Sequence, residues 1–191
     1  MFTFTQYHER WGSRPVHCLL ALLALQLAIT SSSLAQPPSP NAQKLRMLLD
    51  KARTAATQGN SAQAVEFLDQ AIALDGNQAE LYRRRGRELF RAGRVKASIK
   101  DFDRVAQLAP EDEKTLWERG ISLYYDKKFD RGAKQFELYQ TYHDADVENA
   151  AWRYLCVARS ENVAAARRSL LPSKNDRRVP MREIDALDRG K

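Results

Sequence analysis

The sequence predicts an all-α protein that forms an α-solenoid of antiparallel helix pairs. The first observation is an internal register of 34 residues, which aligns Gly86 with Gly120 and Phe102 with Phe136. The second is the spacing of apolar residues within each unit, which follows the period of an amphipathic helix. The third is a break at 92–94 that divides the second unit into two such stretches. These observations predict about three helix-pair units followed by a C-terminal capping helix pair.

Residues 1–35 have the pattern of a secretory signal peptide. Basic residues precede an apolar run over 16–29, and the small residues Ser33 and Ala35 provide a cleavage site. The run has 14 residues, whereas a membrane-spanning helix needs roughly 20. We therefore expect cleavage after Ala35 and export as a periplasmic or secreted bacterial protein, with no membrane span in the mature chain. A signal-anchor that is retained rather than cleaved is the alternative.

The rest of the chain divides by composition and by the register. Residues 36–43 contain three prolines and predict an extended linker, because proline disfavours both helix and strand. The repeat region at 44–146 comprises units at about 45–78, 79–112 and 113–146. Residues 147–171 predict a capping helix pair or a degenerate fourth repeat, because the end of a solenoid must cover an exposed apolar face. Residues 172–191 are a basic, polar tail.

Aligned columns within the units follow the packing logic of stacked helices. Small residues share one column at Ala64, Ser98 and Gly132, and glycines share another at Gly86 and Gly120. Small side chains let two helices approach closely, and bulky residues in the next column fill the space that is left. Each unit is therefore expected to contain two antiparallel helices joined by a tight turn.

These features resemble the tetratricopeptide (TPR) repeat, a helix–turn–helix unit of the same length. The matching residues are the glycines Gly86 and Gly120, the small residues Ala64, Ser98 and Gly132, the aromatics Phe102 and Phe136, and Pro110 at the end of a unit. The first unit departs from the pattern at 51–52, and the third has no closing proline. The resemblance implies an α-solenoid that binds a protein or peptide segment.

The resemblance also assigns the first helix of each unit to a concave groove. Arginine presents a planar fork to carboxylates, and aromatic residues add a stacking surface, a combination common in binding hot spots. An alternative is that the arginines form a solvated helix face, paired with Glu80 and Glu88. The candidate groove residues are Arg46, Arg53, Arg83, Arg84, Arg87, Arg91, Lys114, Trp117 and Tyr124.

Composition argues against catalysis and metal binding. After residue 35 the chain has one His, His143, and one Cys, Cys156, too few for a Cys/His zinc site or an internal disulfide. We interpret Cys156 as a small packed residue and His143 as part of a solvated helix end. No nucleophile elbow, phosphate-binding glycine loop or zinc-binding helix motif occurs in the sequence. We therefore expect no cofactor, no metal and no enzyme activity.

The sequence thus predicts an exported interaction module, a scaffold or adaptor for a protein partner. Lys and Arg outnumber Asp and Glu by 31 to 24, which favours an acidic partner. A polyanion-binding protein, for acidic polysaccharide or nucleic acid, is one alternative, although export disfavours nucleic acid. An accessory subunit that docks a catalytic partner is another. The identity of the partner, the oligomeric state and the presence of further chain are open at this point.

Overall fold

The computed structural model describes residues 39–173, and within them the backbone is helical with no strand. None of the helices in this range is long and apolar enough to cross a membrane. The signal peptide predicted over 1–35 and nearly all of the predicted tail lie outside the described residues. In chain order the helices are α1 (Pro40–Thr57), α2 (Ser61–Leu74), α3 (Ala79–Arg91), α4 (Val95–Leu108), a 3-10 helix (Pro110–Thr115), α5 (Trp117–Tyr125), α6 (Phe129–Gln140), α7 (Val147–Ser160) and α8 (Val163–Arg168).

The start of α1 corrects the linker prediction. The Ser39 hydroxyl accepts a hydrogen bond from the Ala42 amide at 3.2 Å, which caps the helix so that it begins at Pro40. Proline is tolerated in the first turn because an N–H at that position has no partner within the helix. The extended linker predicted over 36–43 is therefore wrong for 40–43, and 36–38 lie outside the described residues.

The helices pack in successive pairs, and each pair packs on the next. The pairs are α1 with α2, α3 with α4, α5 with α6, and α7 with α8, and the second helix of each pair also contacts the first helix of the following one. The predicted α-solenoid is therefore confirmed. We call α1, α3, α5 and α7 the first helices, and α2, α4, α6 and α8 the second helices.

A left-handed residue reverses the chain at equivalent points of three pairs. Gly59 and Gly93 have φ of 76° and 74°, and Lys127 has φ of 60°. These positions are spaced by the repeat length, so the turn persists where its glycine is replaced. A left-handed conformation costs a non-glycine residue about 1–2 kcal/mol, and Lys127 is thus a strained substitute in the third pair.

Close approach within the pairs depends on glycine meeting a phenylalanine ring. A Cβ added to Gly86 would lie 3.1 Å from the Phe102 ring, and one added to Gly120 would lie 2.6 Å from the Phe136 ring. Both rings are fully buried. The glycine columns identified in the sequence therefore set the distance between the two helices of a pair.

The third pair has a shortened first helix. Pro110 opens a turn of 3-10 helix, and α5 begins only at Trp117. Leu116, with φ of −87° and ψ of 57°, separates the two segments while its side chain is fully buried. This break leaves Trp117 in the first turn of α5.

We predict that Gly120→Ala destabilises the protein and that Gly86→Ala has a much smaller effect. Alanine gains about 1 kcal/mol of helix propensity over glycine at either position, but overpacking costs about 1–3 kcal/mol. The closer contact at Gly120 should make overpacking dominate, with a net loss of about 1–2 kcal/mol. Urea unfolding of both variants measures the difference, and a Gly120→Ala chain as stable as the parent would contradict the packing argument.

A candidate binding groove along the first helices

Three clefts lie side by side between successive first helices. The N-terminal cleft, between α1 and α3, has a volume of about 190 Å³. The middle cleft, between α3 and α5, has a volume of about 480 Å³, and the C-terminal cleft, between α5 and α7, has one of about 210 Å³. Arg87 and Arg91 line the first two clefts, and Trp117 lines the last two. Neighbouring clefts therefore share side chains in their walls, and we call the three clefts together the groove.

The middle cleft has mainly apolar walls. Phe90 of α3 faces Trp117 and Ile121 of α5, and the Phe102 ring closes the floor. The Trp117 residue is 43% exposed, although tryptophan is usually largely buried in a folded protein. The volume of the middle cleft falls within the range of pockets that bind small molecules. The middle cleft is therefore large enough to accept a side chain from a partner.

Exposed aromatic residues extend the apolar surface toward the C-terminal cleft. Tyr125 is 58% exposed, and its ring packs edge-on against the Phe90 ring, with the two ring centroids 5.4 Å apart. It also lies 6.3 Å from the Trp152 ring, which lines the C-terminal cleft. An exposed apolar surface rimmed by polar groups commonly marks an interaction site.

The arginines predicted for this groove are paired with carboxylates of the same chain. Arg84 Nε contacts Glu80 at 2.8 Å, Arg87 Nε contacts Glu118 at 2.7 Å and Arg91 Nη1 contacts Glu88 at 2.5 Å. Arg53 contacts Asp50 at 2.9 Å. The exposed pair with Glu80 is what the solvated-face interpretation expects, whereas Glu88 is buried and does not fit it. Although these four arginines line the N-terminal cleft or its neighbour, their charges are partly compensated.

The remaining candidate residues occupy different surroundings. The Arg83 side chain is only 17% exposed. It donates a hydrogen bond to Thr115 Oγ1 at 2.7 Å and so joins α3 to the 3-10 helix. Arg46 and Lys114 are exposed and line none of the three clefts. Tyr124 packs against the core with its ring 5.5 Å from that of Trp152. Of the two predicted aromatics, Trp117 alone lines the groove.

A repeated arginine contact holds the first helices in place. Arg85 on α3 makes a two-point contact with Asp101 on α4, at 2.8 and 2.7 Å, and a third contact with Asp69 on α2 at 2.6 Å. One arginine of a first helix thus joins the second helix of its own pair to that of the preceding pair. We call this contact an arginine clamp.

The clamp recurs at the repeat length in the next two pairs. Arg119 on α5 contacts Asp103 on α4 and Gln135 on α6. Arg153 on α7 contacts Glu137 on α6 and the hydroxyl and carbonyl of Ser169, which caps the end of α8. In every clamp one partner lies 16 positions before the arginine in the sequence and the other lies 16 positions after it.

Sequence reasoning missed the clamps, although their signal is present in the printed sequence. The columns Arg85, Arg119, Arg153 and Asp69, Asp103, Glu137 each repeat at the unit length. In the first pair Lys51 occupies the arginine position, and its ammonium lies 5.7 Å from the centre of the Phe67 ring, again 16 residues away. The clamp pattern therefore includes α7 and α8, which pack as a fourth pair.

Burial and charge give the clamps their strength. Hydrogen bonding to Asp101 raises the pKa of Arg85 above its ordinary value, while partial burial opposes the rise. The Arg119 and Arg153 side chains are only 15% and 11% exposed. Among the clamp carboxylates Asp101 is the buried one, at 5% exposed, and removing one partner of such a buried pair leaves the other uncompensated, which is strongly destabilising. The clamps lie outside the three clefts, so they position the groove without lining it.

The two residues considered for chemistry lie apart from the groove. Cys156 is fully buried, with Sγ 2.9 Å from where a Gly132 Cβ would lie, and burial raises the pKa of its thiol to about 12. His143 is exposed near the Tyr139 ring, with ring centroids 6.2 Å apart. Within 39–173 no group of three or more His, Cys, Asp and Glu residues is placed to hold a metal ion.

Solved structures of other proteins share this fold. A MamA structure from Desulfovibrio magneticus RS-1 is 18% identical, covers 65% of this chain and 71% of its own, and has a TM-score of 0.62. A crystal structure of a MamA protein, also 18% identical, covers 80% of this chain and 75% of its own with a TM-score of 0.61. An O-GlcNAc transferase of Thermobaculum terrenum is 14% identical over 69% of this chain and 26% of its own, with a TM-score of 0.58.

These similarities concern the fold. No protein-family model and no curated protein matches the sequence. The resemblance to a tetratricopeptide solenoid is confirmed by the helix-pair architecture that the chain shares with these structures.

We predict that Arg119→Gln destabilises the protein by about 2 kcal/mol, because the Arg119 side chain, only 15% exposed, loses its hydrogen bonds to Asp103, Glu113 and Gln135. Arg84→Gln is the matched control: its pair with Glu80 is exposed, and loss of such a pair costs less than about 0.5 kcal/mol. Chemical unfolding of the two variants gives the comparison. Equal losses would show that the Arg119 clamp has no special role.

Proposed function

We propose that this chain is a non-catalytic interaction module that holds a segment of another protein in the groove formed by the clefts between its first helices. The supporting observation is the exposed Trp117 side chain, which lines two of the clefts, together with the exposed Tyr125 ring, which packs against Phe90 beside the middle cleft. Burying such residues against a partner is favourable, and tryptophan and tyrosine are enriched in interface hot spots. As an exported protein it would act as a scaffold or adaptor outside the cytoplasm.

The charge pairs of the groove favour a protein segment over a polyanion. Binding of a phosphate-rich or sulfate-rich polymer depends mainly on uncompensated Lys and Arg side chains. Here Arg84, Arg87 and Arg91 each contact a carboxylate of the same chain. A mixed surface of paired charges and aromatic rings is instead typical of protein interfaces.

Affinity capture from an extract of the source cells tests this proposal. The full chain should retain a discrete protein, and Trp117→Ala should reduce its retention at least about tenfold, as expected for a hot-spot residue. Met47→Ala is the control, because Met47 is 47% exposed but lines a different surface between α1 and α2. Retention lost equally in both variants, or in neither, would contradict the proposal.

A charge-matched pair of variants separates the polyanion alternative. Arg84→Glu changes the groove, whereas Arg94→Glu makes the same change of net charge at the exposed turn before α4. We expect only Arg84→Glu to weaken capture. Equal weakening by both variants, abolished by moderate salt, would favour polyanion binding through general electrostatics.

A further inference from the structure

The C-terminal cleft differs from the other two clefts in the sign of the charges that line it. Four arginines and one glutamate line the N-terminal cleft, and two arginines and one glutamate line the middle cleft. In the C-terminal cleft the charged lining residues are Asp146 and Glu148, and within the described residues no Lys or Arg lines it. The lining of the groove therefore changes from mainly cationic to anionic along its length.

The two carboxylates stand at the start of α7. Asp146 Oδ1 accepts a hydrogen bond from the Glu148 amide at 3.1 Å, and this bond caps the helix but leaves the charge of the carboxylate in place. The helix terminus contributes about half a positive charge, which is less than the full negative charge of either carboxylate. Glu148 is exposed and Asp146 is only half-buried, so an incoming group can approach both. The start of α7 therefore presents a net negative charge to the cleft.

A buried amide adds to the negative potential of this cleft. Asn149 lines the cleft and is 3% exposed, and its Nδ2 donates to the Phe136 carbonyl and to Gln140 Oε1, each at 3.0 Å. Among the described residues its Oδ1 has no hydrogen-bond partner. This oxygen is too deeply buried for a ligand to touch, but its partial negative charge acts through space, because a protein interior screens charge less than water does. It stabilises a cation in the cleft and repels an anion.

The walls of the cleft supply aromatic rings. Trp117 and Trp152 both line it, and Trp117 is 43% exposed. Within 39–173 no cation lies over the Trp117 ring, although the rings of Phe67, Tyr82 and Phe129 each carry a lysine or arginine of the chain. Tryptophan is the best aromatic partner for a cation. The volume of about 210 Å³ corresponds to about seven water molecules at about 30 Å³ each, enough for the charged end of one side chain.

We propose that the C-terminal cleft binds a cationic side chain, arginine or lysine, of the protein segment held in the groove, with its charge facing Trp117 and the carboxylates of Asp146 and Glu148. This inference rests on the proposed function and specifies one residue of its ligand. Trp117 also lines the middle cleft, so a segment that covers this ring reaches the edge of the C-terminal cleft. The excess of Lys and Arg in the whole chain, which favours an acidic partner, does not extend to this cleft.

Selection from a library of short random peptides tests the cation site. The peptides have acetylated N-termini and amidated C-termini, so that their side chains supply all of their charge. The library is passed over the immobilised full chain, and the retained peptides are sequenced. We expect enrichment of Arg or Lys at one position. Retained peptides without such a position, or enriched only in Asp and Glu, would overturn the proposal.

A second measurement isolates the charge of the ligand. In a selected peptide the cationic residue is replaced by citrulline, a neutral residue with nearly the shape of arginine, and we expect the affinity for the parent chain to fall about tenfold. In Asp146→Asn/Glu148→Gln, which removes both charges but keeps a side chain that can cap α7, the same replacement should lower the affinity less than about threefold.

Glu66→Gln/Glu161→Gln is the matched control, because it makes the same change of net charge at two exposed carboxylates that line none of the three clefts. The citrulline replacement should cost this variant the same tenfold as the parent. Circular dichroism of each variant confirms that it is folded. A citrulline effect of equal size in the parent and in the cleft variant, or one reduced equally in the cleft variant and the control, would overturn the assignment of the two carboxylates.

Failure of the cation site is distinguishable from failure of the proposed function. If peptides are retained and Trp117→Ala weakens their binding, but no cationic position is selected, only the cation site is overturned and the groove remains a peptide-binding surface. If the parent chain retained no peptide at all, both the cation site and the proposed function would be overturned.

Discussion

Each first helix after α1 is held between two second helices by one arginine, and the groove depends on this constraint. Glycine and small residues bring the helices of a pair close together, which determines spacing but not the orientation of one pair relative to the next. Arg85 supplies that orientation because its planar guanidinium reaches α2 and α4 at once. The same contact recurs at Arg119 of α5 and Arg153 of α7, so each of these pairs is joined to the preceding pair in the same way.

The charges of the groove have a second role besides recognition. Arg87 bridges α3 and α5 through Glu118, and Arg91 satisfies Glu88, which is 5% exposed and also accepts from the Ser61 hydroxyl. Buried carboxylates need such partners. The arginine-rich composition of α3 therefore reflects internal pairing at least as much as ligand binding, and the exposed aromatic residues become the stronger indication of a binding surface.

Much of the fold was predictable because repetition converts weak signals into an alignment. The register identified the helix pairs, and the columns of Gly86 with Gly120 and Phe102 with Phe136 contain the residues that the structure brings into contact within each pair. The early start of α1 was missed because a proline was treated as a helix breaker in the one turn where it is tolerated. The clamps were missed because the aligned columns were those of glycine, small and aromatic residues, whereas the clamp columns that contain Arg85 and Asp69 are charged.

A double-mutant cycle on Arg85 and Asp101 tests the clamp most directly. The free energy of unfolding is measured for the parent, Arg85→Gln, Asp101→Asn and the double variant. Because the contact is bidentate and Asp101 is 5% exposed, we expect a coupling energy of about 2 kcal/mol, toward the upper part of the range for residues in direct contact. A coupling energy below about 0.3 kcal/mol, as for independent sites, would contradict the claim that these arginines hold the groove together.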